Sequence, residues 1–328
     1  MAVYNELGNG LLPQHKLLVF NLRNLRIKIN PRRMENMQLN FEPIDLQRQA
    51  AYNQLLARCA QVASDYSFLN IWGWADEYGL QWAWSEDLVW IRQTRPREML
   101  WAPVGHWQGP HWPSVLETVR RQCGTIIRVP QKLLQIWREH ADQPFEIIEA
   151  RDHWDYLYDR RQLIELRGNR YHKKKNLVNQ FKRKYAFAYL PFGQDMIDDA
   201  RAMQEKWCTW RDCESSSTLL AENEAITKVL DHWKLLEGIT GGALRVDDRL
   251  VAYTIAETLP DDTLVIHFEK ACLEAKGSYQ AINQLFLTNY EGPGELVNRE
   301  QDLGDAGLRK AKLSYLPVDY VRKYQVMV

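Results

Sequence analysis

The sequence predicts a layered α/β (α+β) fold in two tandem domains. Segments with the helical spacing of apolar residues alternate with short strand-like segments along most of the chain. A length of 328 residues suits two domains of ~150 residues each. The hydrophobic content of 45% and the aromatic content of 11% exclude a largely disordered protein.

The chain divides into four expected segments. Residues 1–36 hold glycines, prolines and a basic run with little periodic pattern, so we expect them to be an N-terminal extension. A first domain is expected at 37–160 and a basic linking helix at 161–186. A second domain, expected to carry the active site, follows at 187–328.

The first half combines short strands with a dense tryptophan region. Its predicted elements are a helix at 46–63 after the cap Asp45, strands at 78–84, 87–93 and 97–102, a helix at 114–123, a strand at 125–129, a helix at 131–140 and a strand at 145–150. Eight of the 13 tryptophans lie between Trp72 and Trp112. They either fill a small core between sheet and helices or form an aromatic cage for a ligand.

The second half repeats this alternation. It predicts a strand at 187–191, helices at 196–211 and 222–237, strands at 239–246, 250–258 and 263–270, a helix at 278–290, a strand at 296–301, a short helix from the cap Asp305 to 315, and a last strand at 320–328. Two helices, a three-strand meander, and then alternating helices and strands come close to the order of the GNAT acyltransferase fold.

Residues 167–184 concentrate positive charge in a neutral protein. The chain has 42 Lys+Arg against 42 Asp+Glu, yet this segment holds eight Lys or Arg, one His and no acid. Tyr171, Val178, Phe181 and Tyr185 keep helical spacing, with Asn169 as the expected N-cap. The segment is therefore expected to be an ordered helix that presents its charge either to an anionic partner or simply to solvent.

The five cysteines and the apolar runs predict a cytoplasmic protein. Cys59, Cys123, Cys208, Cys213 and Cys272 are scattered, which indicates reduced thiols. Cys208 and Cys213 have no histidine pair beside them, so we expect no zinc or other metal site. No run reaches the ~18 apolar residues that a transmembrane helix needs.

Three segments carry a family resemblance: ELRGNRYHKKKNLVNQFKRKY, VIHFEKACLEAKGSYQAINQLF and VNREQDLGDAGLRKAKLSYLP. They resemble the C-terminal domain of bacterial phosphatidylglycerol lysyltransferases, and more closely the stand-alone soluble relatives of that domain. The resemblance implies two tandem GNAT-like folds joined by a basic helix, as in the Fem aminoacyltransferases. The membrane enzymes of the family move an aminoacyl group from charged tRNA to a lipid head group. No counterpart of their membrane domain is expected here, so the acceptor is an unknown amine or hydroxyl.

For such a transfer, the donor must be held by its anionic end. The expected tRNA-binding residues lie on the basic helix: Lys173, Lys174, Lys175, Arg183 and Lys184. A transfer also needs a base for the acceptor and a positive group for the oxyanion. Strand alternation places His267 and Glu269 on the same face as Val265, which makes them the expected base pair. Lys310 and Lys312 are the expected charge-stabilising residues.

Further residues are expected to contact the substrate. Arg309 and Tyr315 lie on adjacent turns of one helix face with Lys312. Glu300 and Asp302 precede that helix and are expected to receive an ammonium group of the aminoacyl substrate.

Acetyl-CoA is the alternative donor. The nearest match to the phosphate-binding loop of CoA enzymes is EAKGSY, with Gly277 and Tyr279 at the start of a helix. Its acidic first residue and its tyrosine depart from the usual pattern, so aminoacyl-tRNA is the preferred donor and no tightly bound cofactor is expected. A non-catalytic tRNA-binding module is the alternative from another class.

Overall fold

A computed structural model describes residues 39–85, 87–140, 144–211 and 216–328. The predicted extension at 1–36 lies outside these residues. Described residues from 39 onward belong to one compact unit. No helix among them is both long and apolar enough to cross a bilayer.

The chain contains helices and strands in close alternation. Up to residue 149 the elements are β1 Glu42–Pro43, α1 Gln49–Leu56, α2 Phe68–Gly73, α3 Ala75–Tyr78, β2 Gln81–Trp84, β3 Leu88–Gln93, β4 Met99–Trp101, β5 Val104–Gly105, α4 Trp112–Gln122, β6 Thr125–Pro130, α5 Gln131–His140 and β7 Glu146–Glu149. The remaining elements are β8 Asp155–Asp159, α6 Arg160–Glu165, α7 His172–Lys184, β9 Phe187–Pro191, α8 Ile197–Arg211, α9 Ser217–Asp231, β10 Ile239–Val246, β11 Arg249–Thr258, β12 Leu264–Ala271, α10 Ser278–Asn289, β13 Leu296–Asn298, α11 Ala306–Leu313, β14 Asp319–Val321 and β15 Lys323–Met327.

These strands form two mixed sheets. The first is 8-stranded in the order β1-β2-β3-β4-β6-β15-β7, with β5 paired to β3. The second is 7-stranded in the order β14-β8-β13-β12-β11-β10-β9. In the second sheet, α10 packs its buried residues against one face, beside α7.

The two sheets exchange strands across the expected domain boundaries. β8 lies before residue 160, yet it pairs with β13 and β14 of the second sheet. β15 follows the whole second half, yet it pairs with β6 and β7 of the first sheet. No strand was expected at 155–159, so this crossing was not predicted.

A buried charge cluster sits where the strands cross. The ammonium of Lys323, on β15, is 0% exposed and donates to Asp155 Oδ1 at 2.6 Å and to Asp65. Asp65 also forms an ion pair with Arg128, whose side chain is 7% exposed. Asp155 begins β8, so the cluster ties the first sheet to the second.

The tryptophans fill the core of the first half. Trp82, Trp90, Trp112 and Trp137 are among its largest fully buried side chains. Trp82 stacks on Tyr52 with ring centroids 5.9 Å apart. This arrangement favours core packing over an aromatic cage.

Two local expectations are wrong. Asn169 lies in a short 3-10 turn before α7, and Tyr171 occupies the N-cap without a capping side-chain hydrogen bond. Cys208 is disulfide-bonded, whereas Cys59, Cys123 and Cys272 are free thiols.

Replacing Lys323 with Met should destabilise the protein by about 3–5 kcal/mol, because two buried carboxylates then lose their shared ammonium. Lys234→Met, at an exposed position, is the matched control and should change the free energy of unfolding little. Urea denaturation of both variants measures the difference. A loss below about 1 kcal/mol for Lys323→Met would show that the buried pair does not hold the sheets together.

Candidate functional site

The second sheet opens between β12 and β13. These parallel strands pair only at Leu264↔Val297 and Val265↔Asn298, while β12 continues to Ala271. The backbone that follows β13 turns at Glu300, whose φ is 57°. Side chains from both sides of this opening contact each other, and we refer to Glu257, His267, Glu269, Arg299 and Glu300 as the diverging-strand site.

A β-bulge in β12 determines where its side chains point. Ile255 pairs with Phe268 but Ala256 pairs with Ile266, so His267 is an extra residue. Before the bulge, Ile266 packs with the core of α10; after it, Glu269 contacts α10. His267 therefore lies on the face opposite Glu269, and the prediction that both share one face is wrong.

On the α10 face, Glu269 holds Arg299. Arg299 Nη2 donates to Glu269 Oε1 at 3.0 Å, and Asn283 Nδ2 donates to Oε2 at 2.9 Å. The Arg299 guanidinium lies 4.7 Å from the ring centroid of Tyr315. Lys174 of α7 lies over the same ring at 4.1 Å. The basic helix thus reaches the diverging-strand site through one of its lysines.

Burial and the nearby Arg299 lower the pKa of Lys174, while Glu269 opposes this shift. Burial and Arg299 likewise lower the pKa of Lys312 to about 8. Lys312 donates to the carbonyl oxygens of Arg299 and Glu300, the latter at 3.3 Å, and so fixes the turn after β13. Lys310 is exposed on α11, whose inward contacts are made by Arg309 and Lys312.

On the opposite face, His267 lies between two carboxylates. Its Nδ1 is 2.8 Å from Glu300 Oε1 and its Nε2 is 2.8 Å from Glu257 Oε1. Burial lowers the pKa of His267, but the hydrogen bonds and charges of Glu257 and Glu300 outweigh it and raise the pKa to about 9. A raised pKa favours the imidazolium near pH 7, which disfavours His267 as the base and leaves Glu269 as the better candidate.

Asp302 and Arg309 are engaged with each other. Asp302 has a side chain that is 0% exposed and accepts from Arg309 Nε at 2.9 Å, from Tyr156 Oη at 2.5 Å and from the Gly304 N–H at 2.9 Å. Despite burial, these bonds lower the pKa of Asp302 to about 2. Because its oxygens already accept these bonds, a substrate ammonium would have to displace one of the donors, and the expected role of Asp302 stays a prediction. Arg309 anchors α11 through Asp302 and Asp152.

The basic helix α7 lies along α10, as its apolar stripe predicts. Val178 and Phe181 are buried, whereas the other four cations expected to bind tRNA are exposed: Lys173, Lys175, Arg183 and Lys184. Gly277, at the N-cap of α10, has a φ of 90° and approaches α7 so closely that a Cβ there would overlap the carbonyl oxygen of Leu177. Tyr279 accepts a hydrogen bond from Trp207 Nε1 at 2.9 Å.

Three contributors to the site escaped sequence reasoning. Arg299 lies in the family segment VNREQDLG, but the sequence analysis gives it no role. Glu257 and Asn283 are close to the site only because of sheet register and helix packing. Of these residues, only Arg299 carried a local signal, since it directly precedes the candidate Glu300.

The family model described as "Phosphatidylglycerol lysyltransferase, C-terminal" matches residues 56–327. The sequence is 27% identical over 179 residues to an uncharacterized protein of Mycoplasmoides gallisepticum, a match that covers 53% of this chain and only 56% of that relative. A conserved protein of unknown function from Bacteroides thetaiotaomicron superposes with a TM-score of 0.81 at 27% identity, over 89% of this chain and 100% of that one.

Two further structures share the fold at low identity. The C-terminal domain of a putative lysylphosphatidylglycerol synthetase from Agrobacterium fabrum has a TM-score of 0.59 at 12% identity, covering 86% of this chain and 92% of that one. FemX has a TM-score of 0.57 at 6% identity, covering 88% of this chain and 97% of FemX.

The family match indicates a transferase of acyl or aminoacyl groups, and the two mixed sheets share the fold of FemX and of the lysylphosphatidylglycerol synthetase domain. The chain belongs to the family of the phosphatidylglycerol lysyltransferase C-terminal domain.

The His267 cluster should make stability depend on pH. Its folded pKa of about 9 lies above the ordinary 6.5, so its stabilisation is complete below pH 6.5 and is lost as pH rises through 9. The shift corresponds to about 3 kcal/mol. Between pH 6.5 and 9, the free energy of unfolding should therefore fall more steeply for the wild type than for His267→Gln. Parallel profiles of the two proteins, measured by urea denaturation, would contradict the assigned imidazolium.

Proposed function

We propose that this chain transfers an aminoacyl group from a charged tRNA to an amine or hydroxyl acceptor. One observation carries the proposal. The exposed cations Lys173 and Lys175 of α7 adjoin Lys174, whose ammonium lies 4.1 Å from the ring centroid of Tyr315, beside Arg299. A polyanion bound along α7 would therefore bring its end to the diverging-strand site.

The face of α7 that tRNA would contact follows from helix geometry. Lys173 and Lys184 lie about three turns apart on the same side of the helix, whereas Lys175 points away from them. Both residues are exposed. Lys173 and Lys184 would bind phosphates along the acceptor stem of the tRNA. Binding would then weaken as salt rises, because each phosphate contact releases counterions. Arg183, about 80° from Lys173 around the helix, would contribute from the flank.

In the proposed reaction, Glu269 takes the proton of the acceptor and Arg299 stabilises the oxyanion. The acceptor nitrogen or oxygen attacks the ester carbonyl of the donor, and a bond to the carbonyl carbon forms. The tetrahedral intermediate collapses with cleavage of the ester C–O bond, and the ribose oxygen leaves with a proton. Since both oxygens of Glu269 already accept hydrogen bonds, the acceptor must displace one of them. Lys312 donates to the carbonyl oxygen of Arg299 and so adds positive charge next to this residue.

The loop before α10 supports tRNA over acetyl-CoA as donor. The Ser278 N–H donates to the Ala275 carbonyl oxygen at 3.0 Å, and the Ser278 hydroxyl donates to the Cys272 carbonyl oxygen at 3.0 Å. Gly277 is pressed against α7. A pyrophosphate would need free N–H groups at this helix start. Because the Ser278 N–H already bonds to Ala275, this helix start is poorly suited to bind a pyrophosphate.

Charge reversal on α7 tests the donor. Lys173→Glu combined with Lys184→Glu should weaken tRNA binding at least about tenfold and reduce the salt slope of log K by about 2, because two phosphate contacts are lost. Lys234→Glu with Arg249→Glu makes the same charge change at exposed positions elsewhere and is the matched control. Filter binding at ~50 and ~200 mM salt gives both quantities. An equal loss in both double variants would mean that α7 is ordinary solvated surface.

Glu269→Gln tests the base. The substitution keeps the shape of the side chain, so tRNA binding should be unchanged while transfer falls about 10²-fold or more. Single-turnover transfer of a radiolabelled aminoacyl group, with hydroxylamine as the acceptor, supplies the rate. Glu274→Gln, exposed before α10, is the control. A loss of less than about tenfold would remove Glu269 from the role of base.

A further inference from the structure

Tyr315 contacts both α7 and α10 from the end of α11. It is 7% exposed and packs in a core cluster with Phe286 and Leu287 of α10. Its backbone carbonyl oxygen accepts a hydrogen bond from Tyr171 Oη at 3.1 Å, and Tyr171 is the N-cap of α7. Contacts within the protein therefore fix the position of this ring before any substrate binds.

Two cations from different elements lie on the Tyr315 ring. The Lys174 ammonium of α7 is 4.1 Å from the ring centroid, and the guanidinium of Arg299, just after β13, is 4.7 Å from it. Both distances are inside the ~6 Å over which an aromatic face attracts a positive charge. Lys174 makes no hydrogen bond or ion pair with another described residue, so the ring is the contact that fixes its ammonium.

The two cations repel each other. Burial and then Arg299 lower the pKa of Lys174, and the opposing effect of Glu269 is smaller. Arg299 also donates to Glu269, whereas Lys174 has no carboxylate bonded to it. The negative face of an aromatic ring attracts cations without adding a carboxylate that would neutralise them. Tyr315 thus keeps two positive groups together beside the single carboxylate of Glu269.

We propose that Tyr315 is a positioning residue, whose ring holds Arg299 at the reacting ester and Lys174 at the anionic end of the donor. The inference rests on the proposed function for what these two cations do, and Tyr315 itself needs no contact with substrate. Without the ring, Arg299 keeps its bond to Glu269, but its guanidinium loses its nearest aromatic contact and samples other directions. Oxyanion stabilisation needs a donor that is already in place, so the loss falls on the transfer step.

Two substitutions separate the ring from the rest of the side chain. Tyr315→Phe keeps the ring and should keep the rate constant of transfer within about threefold, whereas Tyr315→Leu removes it and should lower that rate constant about tenfold or more. The Kd for charged tRNA should stay within about threefold of the wild type in both variants, because the exposed cations of α7 supply most of the binding. Single-turnover transfer to hydroxylamine and filter binding give the two quantities.

Phe286→Leu is the matched control, since it removes a ring of the same core cluster that lies over neither cation. It should lower the free energy of unfolding about as much as Tyr315→Leu does, yet leave the rate constant of transfer unchanged. If the two leucine variants lose equal activity, or if Tyr315→Phe is as slow as Tyr315→Leu, the positioning role is overturned.

A spectroscopic test needs neither tRNA nor turnover. Protons that lie over an aromatic ring are shielded, so the NMR signals of the Lys174 ε-methylene should lie upfield of those of Lys173 and Lys175. Tyr315→Phe should retain this shift and Tyr315→Leu should abolish it. A wild type without the shift, or a shift that survives in Tyr315→Leu, overturns the inference whatever the transfer assay shows. The expected shifts with no aminoacyl transfer would instead defeat the proposed function and support the ring-held pair of cations.

Discussion

The fold depends on a single buried ammonium. Lys323 belongs to the first sheet, and one of its carboxylate partners, Asp155, opens a strand of the second sheet. Asp155 also accepts from Ser64 and from Asn298 Nδ2, and Asn298 in turn accepts the N–H of Glu300 at 2.7 Å. The turn that aims Glu300 at His267 is therefore held by the same polar network that joins the sheets. A buried ion pair contributes little net stability in general, but leaving one partner alone is costly, so the network specifies one arrangement.

One extra residue in β12, His267, places the charged groups of the site on two different faces of the sheet. Without the bulge at His267, period-two alternation would put His267 and Glu269 on one face and mix their charges. With it, Glu269 and Arg299 face α10, while His267, Glu257 and Glu300 face the first half. Asn70 comes from that first half and contacts Glu300. Both halves of the molecule therefore contribute to one site, although the strands that carry it belong to the second sheet.

Local pattern predicted much of the fold, because most elements have a strong periodicity of their own. The predicted bounds of α5, β9 and β10 agree with the structure, as does the apolar stripe of the basic helix. β8 was missed because five residues, DYLYD, gain their strand identity from partners more than 130 positions away. The bulge and the burial of Lys323 were not predicted for a related reason. The bulge depends on the register between β11 and β12, and the burial of Lys323 depends on carboxylates far away in the sequence. From local sequence alone, a lysine is expected at the surface.

The return of β15 to the first sheet has a consequence for the order in which the protein is made. Until residues 323–327 leave the ribosome, β6 and β7 have no strand between them, and each presents an unpaired edge. The first half is synthesised first but is completed last, after the second half is already available to fold. Open edges of this kind are where nascent chains mispair, and this topology keeps them open until the last strand is made.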